Sequence, residues 1–191
     1  MKNPKEGATL FQHKIDDEIS LKLIEWKDAG RIFELTEQSR EYLRQWLPWL
    51  DMTTSEEDTK GFIKSSLDKI EENKGLTATI LFRGQIVGVA SYNEIDWTNR
   101  IAYIGYWIGQ DFQGHGIITK VAKVLTTYAF NELKLNRVDI RAAMGNKKSR
   151  AIPERLGFVY EGSLRQAEWL YDHYVDHAVY SVLATEWQGN R

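Results

Sequence analysis

At Thr77 the hydrophobic period of the chain changes from helical to two-residue, and it holds through three successive segments before helical spacing returns at Ile117. Before the change, Ile32, Phe33, Leu35, Tyr42, Leu43 and Leu47 recur at helical spacing over 28–47, until Pro48 ends the run. Phe62, Ile63, Leu67 and Ile70 then stripe a second helix over 56–72, which Thr54 or Ser55 can cap. TATILF and QIVGVASYNEI alternate on either side of Arg83-Gly84 and predict a hairpin, followed by a strand from Ile101 to Ile108. Gly109 to Gly116 form a loop, and 117–133 carry Ile117, Val121, Val124, Leu125, Tyr128 and Leu133 on one helical face. Further strands are expected over 19–24, 137–144, 158–171 and 174–185, with a short helix over 147–157 ended by Gly157. The order is β, α, α, β, β, β, α, β, α, β, β.

No repeat, low-complexity run or linker interrupts the 191 residues, and Pro4, Pro48 and Pro153 mark no boundary, so one domain is expected over 1–191. A chain of this length buries roughly 70% of its unfolded surface and needs no covalent staple. The 25 Lys and Arg against 27 Asp and Glu leave a formal charge of −2, with no chain-wide basic field for nucleic acid. No run approaches 18 apolar residues and MKNPKEGATLFQHKIDDE lacks the apolar core of a secretory signal, which predicts a cytoplasmic protein without a membrane partner. With no cysteine, a group transfer cannot pass through a thioester on the enzyme. His173 and His177 have helical metal-pair spacing, but on an extended strand they lie roughly 13 Å apart, so no metal site is expected.

The segment IGQDFQGHGIITKVAKVL sets two glycines between a strand and an amphipathic helix, where exposed N–H groups and the helix dipole favour an anion. By itself this is equally an ordinary glycine turn. One strand downstream, NKKSRAIPERLGF makes a second, glycine-ended helix. The pair resembles the GNAT superfamily of N-acetyltransferases, whose Q/R-x-x-G-x-G/A motif is matched by Gln113-Gly114-His115-Gly116-Ile117-Ile118. Asn146-Lys147-Lys148-Ser149 and Leu156-Gly157-Phe158 match its second motif. Ile118 departs from the small residue usual there, and the branch that acetylates ribosomal-protein N-termini (RimJ/RimL type) is similar in tolerating larger ones. Glu161-Gly162-Ser163-Leu164-Arg165-Gln166-Ala167-Glu168 also resembles that branch. The likeness covers about 19–185.

The resemblance implies a GNAT fold of class α/β (α+β): a mixed, largely antiparallel sheet of six or seven strands, helices on both faces, splayed where acetyl-CoA enters. It implies acetyl transfer from acetyl-CoA to a primary amine, the N-terminus of a ribosomal protein. The rivals are a polyamine or aminoglycoside acetyltransferase and a non-catalytic acyl-CoA-binding module. The coenzyme diphosphate would meet the N–H groups from Gly114 through His115, Gly116, Ile117 and Ile118 to Thr119, with Gln113 closing the loop and Asn146 a further contact. The pantetheine arm would run along Tyr106, Trp107 and Ile108. Gly105 suits a bulge that turns an N–H toward the thioester carbonyl, from Tyr106 or Trp107.

Glu168 matches the glutamate proposed in that branch to act on the amine through a water, with Glu94 the second candidate base. Ser149 matches its proposed acid for the thiolate. A helix cap is the rival role, if Pro153 sits in a first turn that begins near Ser149. His115 is expected to face solvent unless it touches coenzyme, and Lys147, Lys148 and Arg150 are candidates for the 3′-phosphate. Trp46, Pro48, Trp49 and Leu50, with Glu56, Glu57 and Asp58 nearby, would roof the acceptor site. Trp97, Trp169 and Tyr171 would face a partner in the homodimer the branch implies.

Overall fold

Residues 12–189 are described by a computed structural model. The alternating segments form one eight-stranded sheet: β1 (Gln12–Lys14), β2 (Ile19–Leu23), β3 (Leu76–Phe82), β4 (Gln85–Asp96), β5 (Ile101–Ile108), β6 (Arg137–Ala143), β7 (Val159–Leu170) and β8 (His173–Leu183). Their order is β1-β2-β3-β4-β5-β6-β8-β7, and every neighbouring pair is antiparallel except β5 with β6. The eighth strand is β1, three polar residues without apolar alternation that pair along the edge of β2. The β3–β4 turn falls at Arg83 (φ 51°) and Gly84 (φ 81°), the two positive angles that a tight hairpin turn with the twist of its strands requires.

Helices cover both faces. On one, α4 (Ile117–Asn131) and α5 (Lys147–Arg155) bury Ile117, Val121, Leu125 and Ile152 against Ile80, Ala90, Tyr92, Ile104 and Ile140. The Tyr92 hydroxyl, fully enclosed there, donates to Leu125 O at 2.5 Å. On the other face, α1 (Ala29–Gln38) and α3 (Glu56–Glu71) pack Ala29, Ile32 and Ile63 against Ile24 and Val89. Ser55, not Thr54, caps α3: its hydroxyl accepts from Asp58 N at 3.3 Å, and Asp58 reaches back to Ser55 N at 2.9 Å.

The single helix expected over 28–47 is broken at Ser39 into α1 and the short α2 (Arg40–Arg44). Buried Ser39 accepts from Gln110 N at 3.0 Å, tying this joint to the loop after β5, and helical periodicity cannot report such a contact. The register of β4 shifts at Asn93, opposite the middle of β5, so the bulge expected at Gly105 lies on the neighbouring strand. Gly105 makes room for it, because a β-carbon there would lie 2.9 Å from Asn93 Oδ1.

Gly88 has the same use at the far end of this ladder. A β-carbon there would run into Trp107 O and lie 2.9 Å from Ile108 Cα, both backbone atoms. Gly88→Ala is expected to cost about 2 kcal/mol by overpacking, read as a lower urea midpoint with an unchanged slope. A midpoint equal to that of the unaltered protein would mean that the β4–β5 ladder relaxes freely.

Candidate active site

The parallel pairing of β5 with β6 runs from Ile101↔Arg137 to Ile104↔Ile140 and then stops, although both strands continue. Backbone direction in β5 follows from its ends: Arg100 O accepts from Asn136 N on the β6 side, while Gly109 N donates to Val87 O on the β4 side. Even-numbered residues therefore turn their peptide groups toward β6. Beyond Ile104 this leaves Tyr106 and Ile108 facing the opening between the strands, and Trp107 tied to β4. Of the two residues the sequence left open, Tyr106 has the available N–H.

Two cavities meet at this opening. The first, about 820 Å³, is walled by Tyr106, Ile108, Gln113, Gly114, Gly116 and the first turn of α4 from Ile117 to Lys120. Gly114 (φ 81°) and Gly116 (φ 70°) hold left-handed conformations, and α4 begins without a side-chain cap, so its first N–H groups are open to a ligand. Gln113 is anchored by Lys148 Nζ, which donates to its Oε1 at 2.8 Å, while its Nε2 is buried on the side of the Tyr42 phenol. Open N–H groups at a glycine-built helix N-terminus fit an anionic group such as a diphosphate. Beside it, burial raises the pKa of the Tyr42 phenol.

The second cavity, about 930 Å³, is bounded by Trp49, Phe62, Glu94, Arg141, Glu168 and His177 among others. Trp46, Leu47, Tyr106, Trp107, Asn146 and Ser149 border both cavities, so the passage between them runs past Ser149. Asn146, not Ser149, caps α5, its side-chain oxygen accepting from Ser149 N at 3.1 Å. Pro153 lies inside α5 and lacks the N–H that would bond to Ser149 O. The Tyr106 hydroxyl fills that place: it donates to Ser149 O at 3.2 Å and accepts from Ser149 Oγ at 3.4 Å. Burial pushes the Tyr106 phenol well up, so it stays protonated.

Glu168 and Glu94 both border the second cavity, Glu94 from an exposed position on β4. Glu168 follows an irregularity of β7 between Leu164 and Glu168, in which Gln166 (φ 50°) donates its N–H to Asp176 Oδ1 at 2.7 Å. Trp46, Pro48 and Trp49 do roof this cavity, whereas Leu50 is buried. The acids expected nearby do not join them, since Asp58 closes the α3 cap and Glu56 and Glu57 pair with Lys60.

Side-chain direction separates the remaining candidates. His115 turns away from the first cavity, its Nδ1 at 3.0 Å from Gln113 O and its ring centroid 5.6 Å from that of Phe82. Of the three candidate phosphate cations only Lys148 borders the cavity. Arg150 instead donates to Tyr180 OH at 2.9 Å and Met144 O at 3.1 Å. Lys120 and Arg155, which the motif reading passed over, stand at the same cavity. Tyr171 is committed within the chain, donating to Leu47 O at 2.5 Å under Arg44, whereas Trp97 stays exposed while its ring N–H donates to Asn73 O at 2.5 Å. Trp169 remains exposed against Tyr174.

A cleft between diverging strands, a glycine-built helix N-terminus on one side and a carboxylate on the other define an acyltransferase site. The model of the acetyltransferase (GNAT) domain matches residues 18–159, and the chain belongs to that family. It is 40% identical over 183 residues to "Putative ribosomal N-acetyltransferase YdaF" of Bacillus subtilis (strain 168), covering 95% of this chain and 100% of that protein. The ribosomal-protein-serine acetyltransferase of Escherichia coli (strain K12) is 29% identical, covering 88% and 94%. Among solved structures, RimL, a ribosomal L7/L12 alpha-N-protein acetyltransferase in complex with coenzyme A, superposes with a TM-score of 0.87 at 27% identity, over 90% of this chain and 97% of that one.

Asp176→Ala frees the Gln166 N–H and the strained segment that delivers Glu168. It is expected to lower kcat about tenfold while leaving coenzyme affinity unchanged, measured by steady-state kinetics beside calorimetric titration. Unchanged kcat would mean that this segment does not set the position of Glu168.

Proposed function

We propose that this protein acetylates the amino-terminal amine of a ribosomal protein, taking the acetyl group directly from acetyl-CoA. One observation carries the reading: a cavity built for an anionic, strand-like ligand joins, at Ser149 and Tyr106, a second cavity that holds Glu168. The names of the relatives support a ribosomal-protein acceptor and, with it, work in the cytoplasm. A homodimer fits the resemblance, with the exposed Trp169 and Tyr174 as a candidate contact.

In this reading the α4 N-terminus and Gln113 hold the diphosphate, Lys148 and Arg155 stand at the negative end of the donor, and Asn146 adds a contact where the cavities join. The N–H groups of Tyr106 and Ile108 line the thioester arm, and Tyr106 N–H polarises its carbonyl. Glu168 accepts a proton from the acceptor ammonium through a water, leaving a neutral amine. Nitrogen then forms its bond to the acetyl carbon as the carbon–sulfur bond breaks, and the Ser149 hydroxyl gives its proton to the departing thiolate. The amide nitrogen then loses its second proton to solvent, Ser149 regains one from solvent, and Glu168 releases the one it took.

Glu168→Gln is expected to lower kcat about 100-fold and to spare acetyl-CoA binding. Ser149→Ala should lower kcat about tenfold while changing stability by no more than about 0.5 kcal/mol, since Asn146 is the cap. A Ser149→Ala protein with full turnover would remove Ser149 as the acid.

The acceptor class is read by acetyl-CoA-dependent thiol release, which a protein without cysteine permits free of its own background. Turnover with peptides that start with Ser or Ala, and little with spermidine or aminoglycosides, is the expected result. Turnover with small amines alone would transfer the activity to that class, and coenzyme binding with silence across the panel would favour a binding module.

A further inference from the structure

Glu168 has a partner in the acceptor cavity. His177, on β8, sets its Nε2 at 3.3 Å from Glu168 Oε2, and both side chains are half-buried, with 19% and 28% of their surface exposed. On the strands either side, Ala143 and Leu164 stand opposite His177, so the imidazole is bracketed by apolar groups and Glu168 is its polar side-chain contact among the described residues. Leu164 to Glu168 is also where β7 leaves regular register, so the backbone alone does not aim the carboxylate.

We infer that His177 is a positioning residue for the acetyl transfer. Its Nε2–H donates to Glu168 Oε2, holding that oxygen against the cavity wall and turning Oε1 toward the acceptor amine. The inference rests on the proposed role of Glu168 as base. A carboxylate free to rotate about its last two bonds spends part of its time away from the water it must deprotonate, whereas one tethered through a single oxygen keeps the other in place. The neutral imidazole serves best.

Other charged and titratable groups face the same cavity. These are Glu94 on β4, Tyr103 and Tyr106 on β5, and Asp139 and Arg141 on β6. Asp139 is taken up by Arg137 Nε at 2.5 Å, and the Arg141 guanidinium lies 5.3 Å from the centre of the Tyr103 ring. None of these pairs competes for the Glu168 oxygen that His177 holds.

The test compares His177→Ala with His177→Gln, whose amide N–H reaches the place of Nε2, on an N-terminal peptide acceptor across pH. His177→Ala should lower kcat about tenfold with acetyl-CoA affinity unchanged. His177→Gln should restore most of that loss, because its amide N–H can still donate to Glu168 Oε2. In a Glu168→Gln background, His177→Ala should have no further effect, because the two act as one unit. Full activity of His177→Ala, or effects of the two substitutions that simply multiply, would overturn the inference while leaving Glu168 as base. Full activity of Glu168→Gln would overturn both.

Discussion

The parting of β5 and β6 beyond Ile104 and Ile140 is the constraint on which the rest of the molecule depends. Strands with free hydrogen-bonding groups on facing edges close up unless something stands between them, since an unmade backbone bond costs on the order of 1 kcal/mol or more. Here the start of α5 stands there. Its cap residue Asn146 and its third residue Ser149 occupy the mouth of the opening, and Tyr106 reaches across to Ser149. Because β5 and β6 run parallel, the chain must cross between them, and α4 is that crossing. The same topology sets the N-terminus of α4 just past the end of β5, beside the unpaired peptide groups, so the anion site and the strand-like site are two results of one crossover.

The wedge itself depends on a residue that weakens it in isolation. A proline within a helix removes a hydrogen bond and ordinarily costs about 3 kcal/mol. Pro153 leaves Ser149 O without its helical partner, and Tyr106 OH takes it up. The hydroxyl that completes α5 also accepts from Ser149 Oγ, which fixes where the serine side chain sits. Fold and site share these atoms, so the same contact that closes a structural gap sets the geometry at the junction of the cavities.

Much of this was legible in the sequence because it is written in short-range pattern. Seven of the eight strands follow from two-residue alternation, the Arg83-Gly84 turn from its residue types, and the loop from Gln113 to Gly116 from glycines at a helix start. What escaped depends on pairs far apart in the chain. Whether the bulge belongs to Gly105 or to Asn93 is a property of two strands together. Pro153 pointed to a helix beginning at Ser149, yet the tertiary bond from Tyr106 lets the proline sit deeper, and the cap falls to Asn146. His177 read only as half of a failed metal pair, because its use depends on an irregular strand that brings Glu168 opposite it. The cations at the first cavity divided for the same reason: Lys148 and Arg150 are two residues apart, and one faces the cavity while the other faces Tyr180.

The second cavity has an unequal enclosure that bears on the size of its acceptor. On the β3–β4 side α1 and α3 cover the sheet and Trp49 packs against Trp107, with ring centroids 5.9 Å apart. On the β7 side the strand residues are exposed, Leu164 and Val159 among them, although they continue the surface that begins at Glu168 and His177. A site for a compact amine gains by closing on all sides, since each apolar group it removes from water adds roughly 25 cal/mol per Å². A site for a chain end must stay open in one direction, because the rest of the acceptor has to leave it. The walls here are tight beside Ser149 and open along β7 beyond Glu168, and that asymmetry suits an acceptor whose reactive group is the end of something longer.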